Sequence, residues 1–262
     1  MNDLMIIALA GFTTGITTVL FGFGGGFVVV PFVYQLVVRQ PLLAGYAMHI
    51  AVATSTAVMI FNAGWVSYQN WCAGRLSSSI LFPLLWFVAV GAVAGSWLAG
   101  ILSEALIRAL FILYMLVTIG DCLLRKGFFS GSAPRRLSLL TVTGGGMLIG
   151  MIAALLGVGG SVMTVPLLRR HGHAMRECIS AANPLSLPVA LCGAVTYAIS
   201  GWHKISAGGF LGFISLKILG LLLLTGWAGI VFSRRAIPAV PDVWHARIYI
   251  VLLLLVLLAM LV

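Results

Sequence analysis

Gly22-Phe23-Gly24-Gly25-Gly26-Phe27-Val28-Val29-Val30-Pro31 interrupts an otherwise apolar run. Its spacing returns 135 residues later as Gly157-Val158-Gly159-Gly160-Ser161-Val162-Met163-Thr164-Val165-Pro166. Glycine clusters carry a high backbone entropy cost and break helices. Two such breaks, each followed by a proline at the same distance, read as paired interruptions of membrane helices.

Composition sets the solvent. Of 262 residues, 61% are hydrophobic and only 8% charged, against about 25% charged in soluble domains. With a mean hydropathy of +1.16, the chain is an integral membrane protein. Helices fit better than a barrel: barrel strands alternate over ~10 residues, whereas Ile248–Val262 is almost unbroken Leu, Val, Ile and Ala. The net charge of +10 does not imply a nucleic-acid partner, because Lys and Arg in connecting loops anchor membrane proteins by the positive-inside rule. Cys72, Cys122, Cys178 and Cys192 are dispersed, without CxxC or His pairing, and read as small hydrophobes. No metal or cofactor is expected. The first stretch has Asp3 but no basic region, so no cleavable signal is expected.

The apolar segments are Leu4–Leu20, Phe27–Val38, Tyr46–Val66, Ile80–Leu98, Ala105–Leu124, Leu137–Leu156, Val162–Leu168, Met175–Ile199, Ser215–Phe232 and Arg247–Val262. Phe27–Val38 and Val162–Leu168 are too short to cross ~30 Å of hydrocarbon at about 1.5 Å per residue. They read as return arms of re-entrant or steeply broken hairpins, with short full crossings as the alternative. Gly11 and Gly15 precede Gly146 and Gly150 by the same 135 residues, and beyond the prolines Gly45-Tyr46-Ala47-Met48 meets Gly172-His173-Ala174-Met175 at 127. The expected organisation is therefore an N-terminal repeat, 1–126, a basic cytoplasmic linker, 127–136, and a C-terminal repeat, 137–262. The expected fold is all-α and polytopic, each repeat holding one glycine-broken hairpin and three transmembrane helices.

If each hairpin returns to its own side, the loops segregate 11 basic residues on one face and 4, Arg39, Arg108, Lys204 and Lys217, on the other. The basic face is then cytoplasmic and both termini lie outside. Three crossings per half invert the second half relative to the first, the organisation of alternating-access transporters.

Unwound backbone is tolerated in a membrane only where protein buries it or it lines a polar cavity. Half-helices starting near Phe27 and Val162 aim positive dipole ends and free N–H groups inward, suited to a small anion. Packing glycines are the alternative reading. The candidate binding residues are Gly22, Gly24, Gly25, Gly26, Gly157, Gly159, Gly160 and Ser161, with Thr54, Ser55, Asn62, Asn183 and Ser186 on the helices that follow. Pro31, Pro166 and Pro184 are candidate hinges, and Asn183-Pro184 in mid-span predicts an opened turn. The five acidic residues, Asp3, Glu104, Asp121, Glu177 and Asp242, fall near segment ends, which argues against a carboxylate cation site or an acidic proton relay. His49, read as the most exposed titratable group, is the candidate for proton coupling. No nucleophile arrangement or nucleotide loop is present, so no enzyme activity is expected.

The twice-occurring GxGGGxxxxP pattern at Gly22–Pro31 and Gly157–Pro166 resembles that of the TauE/SafE family of sulfite exporters, also called the 4-toluene sulfonate uptake permeases, nearly end to end. The second copy departs at Ser161, and Ser180-Ala181-Ala182-Asn183-Pro184 stands where the family has Gly-Thr-Ser. The resemblance implies a multi-pass transporter of the bacterial inner membrane, moving sulfite, sulfoacetate or a related organosulfonate. Its partners would be the small anion and membrane lipids. A carboxylate or other small-anion permease, or a non-transporting scaffold subunit, is the alternative.

Overall fold

The computed structural model describes residues 2–76, 78–124, 137–205, 208–237 and 241–261; the expected linker lies outside them. Ten α-helices follow in order: α1 Asn2–Phe21, α2 Gly26–Val37, α3 Ala47–Cys72, α4 Ser78–Ala99, α5 Glu104–Leu124, α6 Gly146–Leu156, α7 Ser161–Arg170, α8 Met175–Gly201, α9 Leu216–Ala236 and α10 Asp242–Leu261. Seven stretches are long and apolar enough to cross a membrane, carried by α1, α3, α4, α5, α8, α9 and α10, while Gly26–Val37 and Thr141–Leu156 are shorter apolar helices. The chain is thus an α-helical polytopic membrane protein. Many Leu, Val, Phe and Trp side chains on α4, α5, α9 and α10 face outward, as a lipid-facing surface requires.

Several expectations need correction. α3 continues past Val66 to Cys72, and α10 begins at Asp242 rather than Arg247. One π-turn, Thr141–Gly145, leads into α6, where a regular helix was expected. A β-hairpin, β1 Phe210–Leu211 paired with β2 Ile214–Ser215, qualifies the all-α expectation. α8 runs unbroken through Pro184 and Pro188: the turn expected to open stays helical. Proline is tolerated there because neighbouring helices re-satisfy the freed carbonyl groups.

α3 and α8 form the buried centre, 72% of each span lying inside the protein, which explains why the polar residues collect on them. The other long helices surround this pair. α1 lies against α9: a Cβ on Gly15 would meet Gly226 O and Ile230 N, and one on Gly229 would meet Phe12 O. α6 lies against α4 in the same manner, Gly150 on Val88 O and Ala92 N, Gly91 on Met147 O. Backbone-to-backbone approach of this kind maximises dispersion contact where no hydrophobic effect drives association. α5 and α10 pack with α2, through Gln35 Nε2 donating to Ala259 O (2.9 Å) and Arg108 Nη2 donating to Met260 O (2.9 Å).

The ends of each glycine-interrupted pair come together. Ile6 of α1 lines one cleft with Gln35, Leu36 and Arg39 at the end of α2. Gly145 and Leu148 line another with Arg170 at the end of α7 and Asp121 of α5, and Arg170 and Asp121 form an ion pair.

Candidate functional site

The two glycine strings meet. Gly22, Gly24, Gly25, Gly157 and Gly159 all take left-handed φ values between 63° and 94°, a region closed to most L-residues. The chain turns there without a side chain, ending α1 and α6 and starting α2 and α7. A Cβ on Gly26 would sit 2.6 Å from Gly157 O, 2.6 Å from Met59 Sδ and 3.0 Å from Ser55 Oγ. Ser55 Oγ–H donates toward Gly157 O (2.7 Å) and Gly26 O (3.0 Å), so one α3 hydroxyl joins both breaks. The first N–H groups of α2 and α7 have no partner within their own helices, and the dipoles of both helices place positive ends at this junction. In this conformation the junction is buried: Gly22 to Gly26 and Gly157 to Ser161 are all inaccessible.

The neighbouring helices contribute unevenly. Asn183, fully buried on α8, donates from Nδ2 to Thr18 O of α1 (3.2 Å), while its Oδ1 has no partner. Ser186 donates to Ala182 O (2.9 Å) and lies 3.1 Å from where a Cβ on Gly159 would be. Asn62 Nδ2 and Thr14 Oγ1 flank Gly25, and neither has a hydrogen-bond partner. Ser161, fully buried at the start of α7, also has an unpartnered hydroxyl. Unsatisfied buried polar atoms cost about 1–3 kcal/mol each, so their gathering at one junction marks a place arranged for something other than stability. Thr54 does not join them. Its Oγ1 accepts from Ser215 N (3.2 Å) of β2, which turns it toward the end of the protein that carries the β-hairpin.

At that end Glu104, the first residue of α5, accepts from Met48 N–H at the start of α3 and contacts His49 Nδ1 at 3.1 Å. A carboxylate there complements the α3 dipole. His49 is only 7% exposed, so its reading as the most exposed titratable group is corrected. Phe213, from the tip of the β-hairpin, packs on it at 5.1 Å between ring centroids and also meets Tyr46. Tyr197 closes the other side, 6.3 Å from His49, and donates to Leu155 O (3.1 Å). Of the cysteines, Cys122 and Cys178 are buried as expected, but Cys72 is exposed at the end of α3. No group of metal-binding side chains occurs among the described residues.

Two buried breaks meeting head to head, without a catalytic constellation, describe a carrier site. Residues 7–260 match the sulfite exporter TauE/SafE family. The chain belongs to that family. It is similar to a protein named "Probable membrane transporter protein" from Haemophilus influenzae, 26% identical over 225 residues, covering 83% of this chain and 81% of the relative. It is also similar to a "Probable membrane transporter protein" of Methanocaldococcus jannaschii, 21% identical over 252 residues, covering 94% and 84%. No solved structure matches the chain.

For this TauE/SafE family member, sequence reasoning found the glycines, Ser55, Asn62, Ser161, Asn183 and Ser186 that the fold brings to one junction. It missed Thr14, Thr18 and Met59. Thr14 and Thr18 lie on the arm before the first break, where a run of threonines at 13, 14, 17 and 18 was the available signal. Met59 gave none, since a methionine in a membrane helix is ordinary filling.

Proposed function

We propose that this TauE/SafE family member carries a small sulfur-containing anion, sulfite or an organosulfonate, outward by alternating access, binding it between the two breaks. Secondary transport of small anions is the activity of the family, and the protein is no enzyme. The observation carrying the finer reading is the Ser55 hydroxyl bonded to carbonyl groups of both breaks. Opening the junction on one side would exchange those bonds for N–H donors of α2 and α7, with Asn62, Asn183, Ser161 and Ser186 completing a polar shell. Pro31, Pro166 and Pro184 would set where the arms flex.

Two inverted repeats are part of the proposal, with boundaries at 1–126 and 137–262. Matched contacts support them. Gly15 meets Gly226 and Ile230 as Gly150 meets Val88 and Ala92, which relates α1 to α6 by 135 residues and α4 to α9 by 138. Gly22 approaches Ile179 and Ala182 as Gly157 approaches Val52, the 127 offset of α3 and α8. The proposed membrane orientation puts Arg75, Arg170 and Arg234 in the cytoplasm and both termini in the periplasm. The inside-negative potential then favours anion exit by about 2.3 kcal/mol per charge per 100 mV. His49 and Glu104 form the one pairing placed for proton coupling at the periplasmic end.

Flux of sulfite, sulfoacetate and taurine in proteoliposomes under an imposed potential tests this, with acetate and sulfate as comparisons. Saturable, potential-driven flux of a sulfur oxyanion is the expected result, and flux of carboxylates alone would overturn the substrate class. If His49 couples protons, His49→Gln should abolish any dependence of flux on a pH gradient while leaving potential-driven flux in place.

A further inference from the structure

Ten buried side-chain atoms lack a hydrogen-bond partner among the described residues, and six of them, on Thr14, Asn62, Ser67, Gln69, Ser233 and Arg234, belong to α1, α3 and α9. They follow one seam. α3 and α9 run parallel: Asn62 Nδ2 lies beside Gly226, and eight residues further along each helix Asn70 Oδ1 accepts from Arg234 Nη2 (3.3 Å). Ser67, Gln69 and Ser233 fall between those two contacts. The seam thus begins at Gly25, where Thr14 and Asn62 converge, and ends at Arg234 with Arg75 close by.

Thr14 shows that this is not indifferent packing. Thr13 and Thr18 on the same helix donate to carbonyl groups four residues back, and Thr17 to one three back. Such a bond is available to any helical threonine at almost no cost. Thr14, fully buried, forgoes it and stands beside Gly25. The matched seam in the other half is also different. Val189 and Ala194 of α8 replace Asn62 and Ser67 at the 127 offset, and Thr196 Oγ1 donates to Ser96 Oγ (3.2 Å). One seam is dry and satisfied; the other carries unsatisfied donors and acceptors from the break to a cationic mouth. A cleft of about 250 Å³ with Asn62 in its wall lies between α3 and α9, so the two helices are not sealed along their length.

We infer that the α3–α9 seam is the path by which the anion passes between the break junction and the membrane face bearing Arg234. This rests on the junction being the anion site. Arg234 and Arg75 concentrate anions at the mouth, the Ser67, Gln69 and Ser233 side chains replace hydration water along the way, and Thr14 and Asn62 hand the ion to Gly25. The α4–α8 seam stays closed.

Single cysteines at Ser67 or Ser233, in a chain whose four native cysteines are replaced, change one atom each. They should react with a membrane-impermeant methanethiosulfonate at least tenfold faster than Val189→Cys or Ala194→Cys. Reaction should come from the face at which a chain retaining only Cys72 reacts, compared in right-side-out and inside-out vesicles. Equal rates in both seams, or labelling only from the face opposite Cys72, would overturn the path. This readout needs no transport, so it stands even if sulfite is not carried. In the native-cysteine chain, Ser67→Val with Ser233→Val should cut sulfite flux about tenfold without lowering Tm or the Tm increase that sulfite gives. A merely structural seam predicts unchanged flux, since isosteric removal of unsatisfied hydroxyls is neutral or stabilising.

Discussion

Gly26 and Ser161 occupy equivalent places in the two glycine strings, yet they should respond to substitution in opposite ways. Gly26→Ser puts a Cβ 2.6 Å from Gly157 O and 2.6 Å from Met59 Sδ, where ordinary contact begins near 3.4 Å. The two breaks must separate by about 0.8 Å, and overpacking of this kind costs about 1–3 kcal/mol. The same shift stretches the Ser55 bonds that now measure 2.7 and 3.0 Å, adding about 1 kcal/mol. At about 2–4 °C per kcal/mol for a chain near this size, Tm of the detergent-purified protein should fall by roughly 5–10 °C. Flux in proteoliposomes should fall more steeply, because the separated breaks no longer close over the ion. Ser161→Ala, by contrast, removes an unpartnered buried hydroxyl, so Tm should hold or rise by about 1–3 °C. If Ser161 belongs to the anion shell, its KM should nevertheless rise several-fold. Equal behaviour of Gly26→Ser and wild type in both Tm and flux would refute the head-to-head junction.

Ser55→Ala should lower stability by about 1–3 kcal/mol, the cost of leaving buried carbonyl groups unpaired, seen as a lower Tm together with lower flux. Asn183→Leu loses the bond to Thr18 O and should reduce flux at least tenfold, whereas Asn183→Gln should restore part of it; equal flux in both variants would deny the amide a role. Glu104→Gln keeps an acceptor for Met48 N–H but removes the charge at the α3 N-terminus, costing about 0.3–1 kcal/mol. Its Tm should drop by only a few degrees, and a loss of folded protein would mean that the Glu104–His49 contact is far stronger than drawn.

The helical membrane architecture and the two breaks were legible because both are local. Hydropathy needs only a window of residues, and five glycines with left-handed φ lie within the two quoted strings. Ser55 was legible for the same reason, as a hydroxyl one short helix after a break. What failed was non-local. His49 reads as exposed because it stands near a helix start, but Phe213, far along the chain, covers it. Thr54 reads like Ser55, yet one helical step turns it to Ser215. Pro184 reads as a broken turn, whereas the packing around a fully buried Asn183 tethered to α1 holds α8 straight through it.

The exchange of outer helices also governs how the chain can be made. Gly11 and Gly15 of α1 fit against Leu222, Thr225 and Gly226 of α9, which leaves the ribosome some two hundred residues later. Until then the first helix has no groove, and the N–H groups at the Gly22–Gly26 break have neither Asn183 nor the second break beside them. The early protein must therefore wait in the membrane half-assembled, held by the insertion machinery or by lipid. The second half faces no such delay, since α4 is already in place when α6 arrives. Assembly is sequential in synthesis but completed only from the far end, so a chain lacking α9 and α10 should be cleared as unfinished rather than persist as a smaller carrier.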